Sequence, residues 1–338
     1  MQLFNVFNIE KFVDYFKYNE HLYEIIKNDK NNEKLCTSFK ILIENLYPNE
    51  EKRRKGFYAP KDFKDKISSM NPLFKGVAAN DAKDLVNFLL MTLHSELNKT
   101  PQNQIEDGNN IFIDQRDKMK MFNNFASNFM KSYLSIISDL FYAMNCNMTQ
   151  CTNCKTISYN YQIYFFLIFP LEEVRKFKLM NNNRFNNFNN NEVNIYDCFE
   201  FDKKYNFMAG ENAMYCNYCK LTCGSTMCTY LTTGPEILII ILNRGKGIEF
   251  NVKINFDIYL NLSNYIELQD TGCQYELFGV ITHIGESGMG GHFIAYCKEY
   301  WNNQWLKFND SLVSPVNNFK KEVIDFAMPY LLFYQKKK

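Results

Sequence analysis

Two short cysteine pairs, CTNC (Cys151, Cys154) and CNYC (Cys216, Cys219), constrain the fold more than any other feature of the chain. Thiolates separated by two residues can grip one side of a tetrahedral ion, and two such pairs complete its shell. The gap between the pairs is longer than in a small zinc finger, so closing the shell requires two distant hairpins of a larger sheet to meet. The pattern predicts a structural four-cysteine zinc site. With every position taken by thiolate, no coordination site stays open to substrate, and no catalytic cofactor is implied. Free core thiols or a redox pair are the alternative reading. Cys223 and Cys228 lie near enough to act as substitute ligands, with poorer spacing.

The rest of the chain is compatible with such a sheet. EKLCTSFKILIENLY carries Leu35, Phe39, Leu42, Ile43 and Leu46 at helical spacing, with Pro48 as a stop. A second helix opens near Asp81, with Ala82, Leu85, Leu89, Leu93 and Leu97 along one face and acidic residues in its first turn. The segment Met119–Met144 predicts a third helix with an irregular start. From Cys151 onward the segments become short, aromatic and β-branched: TISYNYQIYFFLIF, STMCTYLTT, EILIIILN, YELFGVITHIG, GHFIAYCKEY, QWLKFND and YLLFYQKK read as strands. The Asn-rich tract 181–191 has the composition of a disordered surface insertion. Helices first and strands later predict an α+β fold.

Composition removes several function classes. A formal net charge of +1 gives no reason to expect nucleic acid or an anionic membrane as partner. The opening MQLFNVFNIEKFVDYF lacks the basic start of a secretory signal, and the longest apolar run, Ile237 to Leu242, is too short to span a bilayer. The expectation is a soluble intracellular chain, in which 11 cysteines are thiols or metal ligands rather than a disulfide framework.

Of the four histidines, His21, His94, His283 and His292, the last has the most informative neighbourhood. Gly288, Gly290 and Gly291 precede it, a loop that would let a substrate backbone approach closely. Alternation puts His292 and Ile294 on one strand face, with Phe293 and Ala295 on the other. Asn309 or Asp310, at the end of a neighbouring strand, could accept the imidazole Nδ1–H and leave Nε2 to take a proton. A lone histidine is more often a satisfied core residue, and these residues alone do not lift the catalytic reading above that one.

Together these segments resemble the ubiquitin-specific proteases, papain-like cysteine peptidases that cleave after the ubiquitin C-terminus. Gly291 to Tyr296 matches the family's G-H-Y-x-A-Y box, and Trp305 to Asp310 matches its W-x-K-F-(D/N)-D segment. GVITHIG, GPEILIIILNR and PYLLFYQK match its strands, and Asn71 to Asn98 resembles the stretch that usually reads Q-Q-D-A-Q-E-F-L. The resemblance implies one catalytic domain over 1–338: a helical thumb in about 1–145, zinc-bearing β fingers in about 146–235 and a β palm in about 236–338. It implies His292 as general base, Asn309 as the residue orienting it and Asp310 as helper or alternative. Asp81 and Asp84 fall where the family receives the arginine-bearing ubiquitin tail. A guanidinium suits a planar carboxylate partner; helix capping is the plainer reading of both. Ala79 and Asn80 stand where the family has a Gln pair. The implied protein is a monomer of cytoplasm or nucleus whose partners are ubiquitin and ubiquitinated proteins.

The family's nucleophilic cysteine sits in a G-N-T-C-Y box at a helix N-terminus, where the dipole lowers the thiol pKa. This chain has no such box, and its opening aligns with the far end of the helix that the box begins. The expectation is a nucleophile a few residues upstream of Met1, with thiol-dependent deubiquitination as the function. The alternative is a ubiquitin-binding pseudoenzyme or scaffold. Cys36, read as lying inside an amphipathic helix away from any helix start, is expected to be a core thiol, as is Cys297; Cys146, Cys198 and Cys273 have no supporting motif.

Overall fold

The computed structural model describes residues 9–48, 58–76, 80–100, 114–181, 191–245, 251–268, 272–285, 291–299, 302–325 and 328–337. The chain divides into two compact units. The first comprises Met1–Lys99, Ser135–Ser138 and Phe278–Phe333; the second comprises Thr100–Leu134, Asp139–Leu277 and Tyr334–Lys338.

In the first unit the helices Glu10–Tyr18, Glu20–Asn28, Leu35–Leu46, Lys61–Met70 and Ala82–Leu97 follow one another. The apolar faces of the first, third and fourth meet in an aromatic cluster. Phe16 and Phe39 have centroids 4.8 Å apart, Phe12 lies 5.0 Å from Phe16, and Phe63 lies 5.5 Å from Phe39. All four rings are buried, and each edge-on or tilted pair adds to the burial energy. The helix at Asp81 forms as the sequence predicts: Asp81 is its N-cap and accepts a hydrogen bond from Lys83 N at 3.0 Å. Its buried face is Val86, Leu89, Leu90, Leu93 and Leu97 rather than one including Ala82 and Leu85.

The strands Leu312–Pro315, Trp305–Asn309 and His292–Lys298 lie in the same unit and follow in that order beside Gln274–Ile284 and Met328–Lys336, whose residues 274–277 and 334–336 are counted with the second unit. The first three pairings are antiparallel, with Ile284 opposite His292 and Ala295 opposite Phe308. Ile294, Ala295, Tyr296 and Cys297 are all buried, so both faces of this strand are covered at its centre while His292 sits at its open end.

In the second unit the strands Ala143–Cys151, Ile157–Tyr164, Ser225–Leu231 and Asn206–Met208 form an antiparallel sheet in which Ala143–Cys151 and Ser225–Leu231 are central. The helix Lys118–Ser132 lays Phe122 and Phe125 against Tyr161, at 5.5 and 6.2 Å. Ile237–Asn243 pairs in parallel with Leu167–Pro170 and is buried from Ile237 to Leu242, which explains an uninterrupted apolar run where alternation would be expected of a half-exposed strand. The anticipated third helix is corrected: it runs from Lys118 to Ser132, breaks, resumes as Ile136–Phe141 and gives way to strand at Ala143. Most of the Asn-rich tract lies outside the described residues. Among the described residues no helix is long and apolar enough to cross a membrane.

Candidate functional site

His292 is the first residue of its strand and Asn309 the last of the neighbouring one. Continuing the register from Ala295↔Phe308 sets Asn309 opposite Ile294, so His292 and Asn309 are diagonal neighbours on one sheet face. Their side chains meet, with Nε2 of His292 2.8 Å from Oδ1 of Asn309. A carbonyl oxygen only accepts, so Nε2 carries the hydrogen and Nδ1 is the ring nitrogen left to take a proton. This corrects the expected assignment, in which Nδ1 faced the partner and Nε2 was free. The reason is steric: the side-chain rotamer decides which nitrogen turns towards the neighbouring strand.

Asp310 Oδ2 is 3.6 Å from the same Nε2, too far for a hydrogen bond. Asp310 occupies the two-residue turn between Asn309 and Leu312 with φ of 53°, and its side chain is 76% exposed against 44% for His292. Asn309 therefore holds the ring, and Asp310 adds a solvent-screened charge nearby.

The strand end is fixed from behind. Gly291 has φ of 155°, and a Cβ there would collide with the His283 ring and the Ile284 carbonyl. The glycine expected to admit a substrate backbone thus serves first to let the chain pack on His283; Gly288 and Gly290 lie outside the described residues. His283 stacks edge-on against Phe293 at 5.0 Å, and Phe293 tilts on Tyr330 at 5.5 Å. The Tyr330 hydroxyl donates to both carboxylate oxygens of Asp81, at 2.7 and 2.6 Å. Replacing Gly291 by alanine should destabilise the protein by on the order of 2–3 kcal/mol, read as a lower denaturant midpoint; an unchanged midpoint would mean that His283 does not press on this position.

Asp81 is heavily engaged, for it also caps its helix and sits 3.2 Å from Lys83 Nζ. Asp84, in the first turn of the same helix, is partly exposed. Ala79 is outside the described residues, whereas Asn80 is within them.

In the second unit the two cysteine pairs come together. One sulfur from each of Cys151, Cys154, Cys216 and Cys219 lies within 4.8 Å of every other. Cys151 is 3.9 Å from Cys219, and Cys154 is 3.6 Å from Cys216. Four thiolates at about 2.3 Å from one ion would sit about 3.8 Å apart, so the cluster could hold a tetrahedral metal. Both pairs are built alike. Lys155 N donates to the Cys151 carbonyl at 3.0 Å and Lys220 N to that of Cys216 at 2.9 Å, each lysine having φ near the left-handed well, 60° and 58°. Hydrogen bonding from the Cys154 backbone N–H, with the neighbouring Cys223 thiol, brings the Cys151 thiol down to about 6, which suits a group that binds metal as thiolate. Cys223, the substitute ligand of poorer spacing, is 3.2 Å from Cys151.

The remaining thiols are unsuited to nucleophilic work. Cys36, Cys146, Cys198, Cys228, Cys273 and Cys297 are buried, and the only cysteines not buried are Cys154 and Cys219 of the cluster and Cys223 beside it. Burial raises the thiol pKa of Cys146, Cys198, Cys273 and Cys297. Cys36 calls for a correction: it is the second residue of Leu35–Leu46, at a helix start rather than inside the helix. That start is occupied, since Leu35 N and Cys36 N donate to the Glu96 carboxylate at 2.8 and 2.7 Å. Burial and the Glu96 charge push the Cys36 thiol up to about 12, so the reading as a core thiol stands for a different reason.

The family model described as ubiquitin carboxyl-terminal hydrolase matches residues 1–334. The chain is 25% identical over 340 residues to ubiquitin carboxyl-terminal hydrolase 2 of Bos taurus, covering 97% of this chain and 51% of that protein. It is 29% identical over 332 residues to ubiquitin carboxyl-terminal hydrolase 4 of Saccharomyces cerevisiae (strain YJM789), covering 89% of this chain and 34% of that protein. It thus spans about half or less of the length of these two relatives. Among solved structures it is similar to a chain of the SAGA DUB module containing Ubp8 bound to monoubiquitin, with TM-score 0.67 and 18% identity over 99% of this chain and 66% of that one. That likeness shows a shared α+β fold.

Proposed function

Because the chain belongs to the ubiquitin carboxyl-terminal hydrolase family, whose model reaches from residue 1 to 334, we propose that it takes part in hydrolysing the bond after the ubiquitin C-terminal glycine. Its fold is the papain-like α+β fold of the ubiquitin-specific proteases. The observation that carries the proposal is the 2.8 Å pairing of His292 with Asn309 at the ends of two adjacent strands. In the proposed reaction, Nδ1 of His292 takes the proton of a thiol, and the thiolate attacks the carbonyl carbon. The imidazolium returns that proton to the leaving amine. Water then adds to the acyl-enzyme, giving its proton to His292, and the thiol departs with it. Asn309 keeps Nε2 protonated throughout, and Asp310 is a secondary charge.

None of the eleven cysteines is placed as that nucleophile: each is buried, belongs to the four-cysteine cluster or, in the case of Cys223, lies against it, 3.2 Å from Cys151. In this reading the thiolate comes from a segment preceding Met1. A second reading, a ubiquitin-binding chain without hydrolysis, is favoured by the same cysteine inventory. Ubiquitin bearing a thiol-reactive electrophile at its C-terminus separates the two when offered to the protein isolated from its own source. A covalent adduct, weakened when His292 is replaced, supports hydrolysis. Reversible binding without adduct supports the second reading, and no binding sinks both.

The ubiquitin tail is proposed to meet Asp84 more than Asp81, since capping and Tyr330 already occupy Asp81. Asp84→Arg should then weaken ubiquitin binding by on the order of tenfold to a hundredfold, the loss of one charge-assisted pair plus repulsion; titration calorimetry that gave an unchanged affinity would remove Asp84 from the tail site. The four-cysteine cluster is proposed to hold zinc. When bound, zinc supplies a rigid cross-link between hairpins and no open position for chemistry.

A further inference from the structure

We propose that Cys223 is a redox-active thiol of the cysteine cluster, which forms a disulfide with Cys151 under peroxide and so opens the metal shell. The inference rests on the reading that Cys151, Cys154, Cys216 and Cys219 hold zinc. Cys223 is not one of the four mutually close sulfurs. Its Sγ is nevertheless 3.2 Å from that of Cys151, nearer than Cys219 at 3.9 Å. A tetrahedral shell filled by four thiolates has no place for a fifth, so Cys223 stays a free thiol beside a bound one.

The backbone holds this approach. Cys151 is registered opposite Ser225, two residues beyond Cys223. Thr152 donates to the Gly224 carbonyl twice, through N at 2.9 Å and Oγ1 at 2.7 Å. Gly224 is tightly enclosed, for a Cβ there would lie 3.2 Å from both the Phe207 ring and Thr152 Oγ1. The residues following each sulfur are thereby tied together. Cys223 is also half-exposed, so a small oxidant can reach it. Closing the gap to a bonded S–S length of about 2.05 Å needs a movement of only about 1 Å.

The chemistry is that of a peroxide-sensing pair. The Cys223 sulfur attacks one peroxide oxygen; an S–O bond forms, the O–O bond breaks, and the released hydroxide leaves as water with the thiol proton. The Cys151 thiolate then attacks the Cys223 sulfur. The S–S bond forms, the S–O bond breaks, and the departing hydroxide is protonated from solvent. The two sulfurs together lose two electrons, which the peroxide gains. Cys151 no longer offers a negative ligand, and three thiolates hold the ion less tightly.

The test uses the 338-residue chain purified under reductant, with its zinc content measured first. Graded hydrogen peroxide is then added, zinc release is followed with a chromogenic chelator, and disulfides are mapped by mass spectrometry of a non-reduced digest. Release should track a peptide pair linked through Cys151 and Cys223, and reductant with added zinc should reverse both. Cys223→Ser should bind zinc as the parent does and release it at least about tenfold more slowly at the same peroxide concentration. Cys228→Ser, a buried thiol of the same strand as Ser225, should behave as the parent. Equal release from Cys223→Ser, or a disulfide joining Cys151 to another cysteine, overturns the proposal. Should Cys223→Ser fail to fold, the peptide map of the parent decides alone. A chain that purifies without zinc yet forms the Cys151–Cys223 link overturns the zinc reading and leaves the thiol pair standing.

Discussion

His292→Ala should lower kcat/KM for ubiquitin C-terminal hydrolysis by on the order of 10⁴ in the protein that carries the nucleophile, while leaving ubiquitin affinity within about twofold. The magnitude comes from the ring's part in the proposed reaction. It takes a proton from the thiol, returns it to the leaving amine and then activates water, so its loss affects each chemical step and none of the binding contacts. The neighbouring changes rank themselves. Asn309→Ala removes the 2.8 Å acceptor and frees the ring to turn, and should cost on the order of tenfold to a hundredfold. Asp310→Ala removes a carboxylate 3.6 Å away and mostly exposed, and should cost about twofold or less, with the smallest effect in high salt. Single-turnover rates for the three variants decide the assignment. If Asp310→Ala is more damaging than Asn309→Ala, the third member of the triad has been misassigned.

That ranking turns on a detail the sequence could not carry. That Asn309 or Asp310, at the end of the neighbouring strand, could meet His292 was legible from the strand pattern, and the family resemblance put Asn309 first. Which ring nitrogen meets Asn309 was not, because strand spacing fixes which residues are neighbours and not which edge of an imidazole faces the neighbour. The same division runs through the fold. The Asp81 helix start was legible since its cap is local, whereas the start of Leu35–Leu46 was not. Lys34 gives that helix no side-chain cap; the acceptor is Glu96, which belongs to a later helix.

The strand Ala143–Cys151 was hidden for a related reason. Ala143 and Met144 also close the apolar helical stretch before them, while the alternation of Met144, Cys146 and Met148 with Asn145, Asn147 and Thr149 is short and weakly apolar. Pairing with Ile157–Tyr164 on one side and Ser225–Leu231 on the other makes the segment a strand. The break before it does have a local signal. Ser135 and Ser138 cap one another, Ser138 N donating to Ser135 Oγ at 3.1 Å and Ser135 N to Ser138 Oγ at 2.9 Å. This reciprocal bond starts a new helix at Ile136 in the middle of an apolar stretch, where periodicity alone runs straight on.

The second large effect concerns the metal. The hairpin that carries Cys216 consists of Met214–Cys216 and Leu221–Cys223, two strands of three residues each. Met214, Tyr215, Leu221 and Thr222 are exposed, so apolar burial contributes little, and an isolated hairpin of this length is marginal in water. The turn between the strands is also held by Tyr218, whose hydroxyl donates to Asp114 at 2.8 Å and whose ring lies 4.9 Å from the Arg116 guanidinium. On the proposed zinc reading the ion would add the larger contact, structural zinc in small fingers being worth roughly 10–16 kcal/mol in apparent terms. Cys216→Ser, or exhaustive chelation, should therefore unfold this hairpin without unfolding the chain. Amides of 214–223 should lose protection from hydrogen exchange by at least about 10³, which needs only about 4 kcal/mol of that stabilisation. Amides of Ile237–Asn243, buried from Ile237 to Leu242, should keep theirs. Cys223→Ser should resemble the parent in this measurement, which separates a ligand from a neighbouring thiol. Equal protection of 214–223 with and without metal would show that the hairpin stands on its own contacts, and the cluster would then be a set of thiols brought close by the sheet and not the cause of its closing.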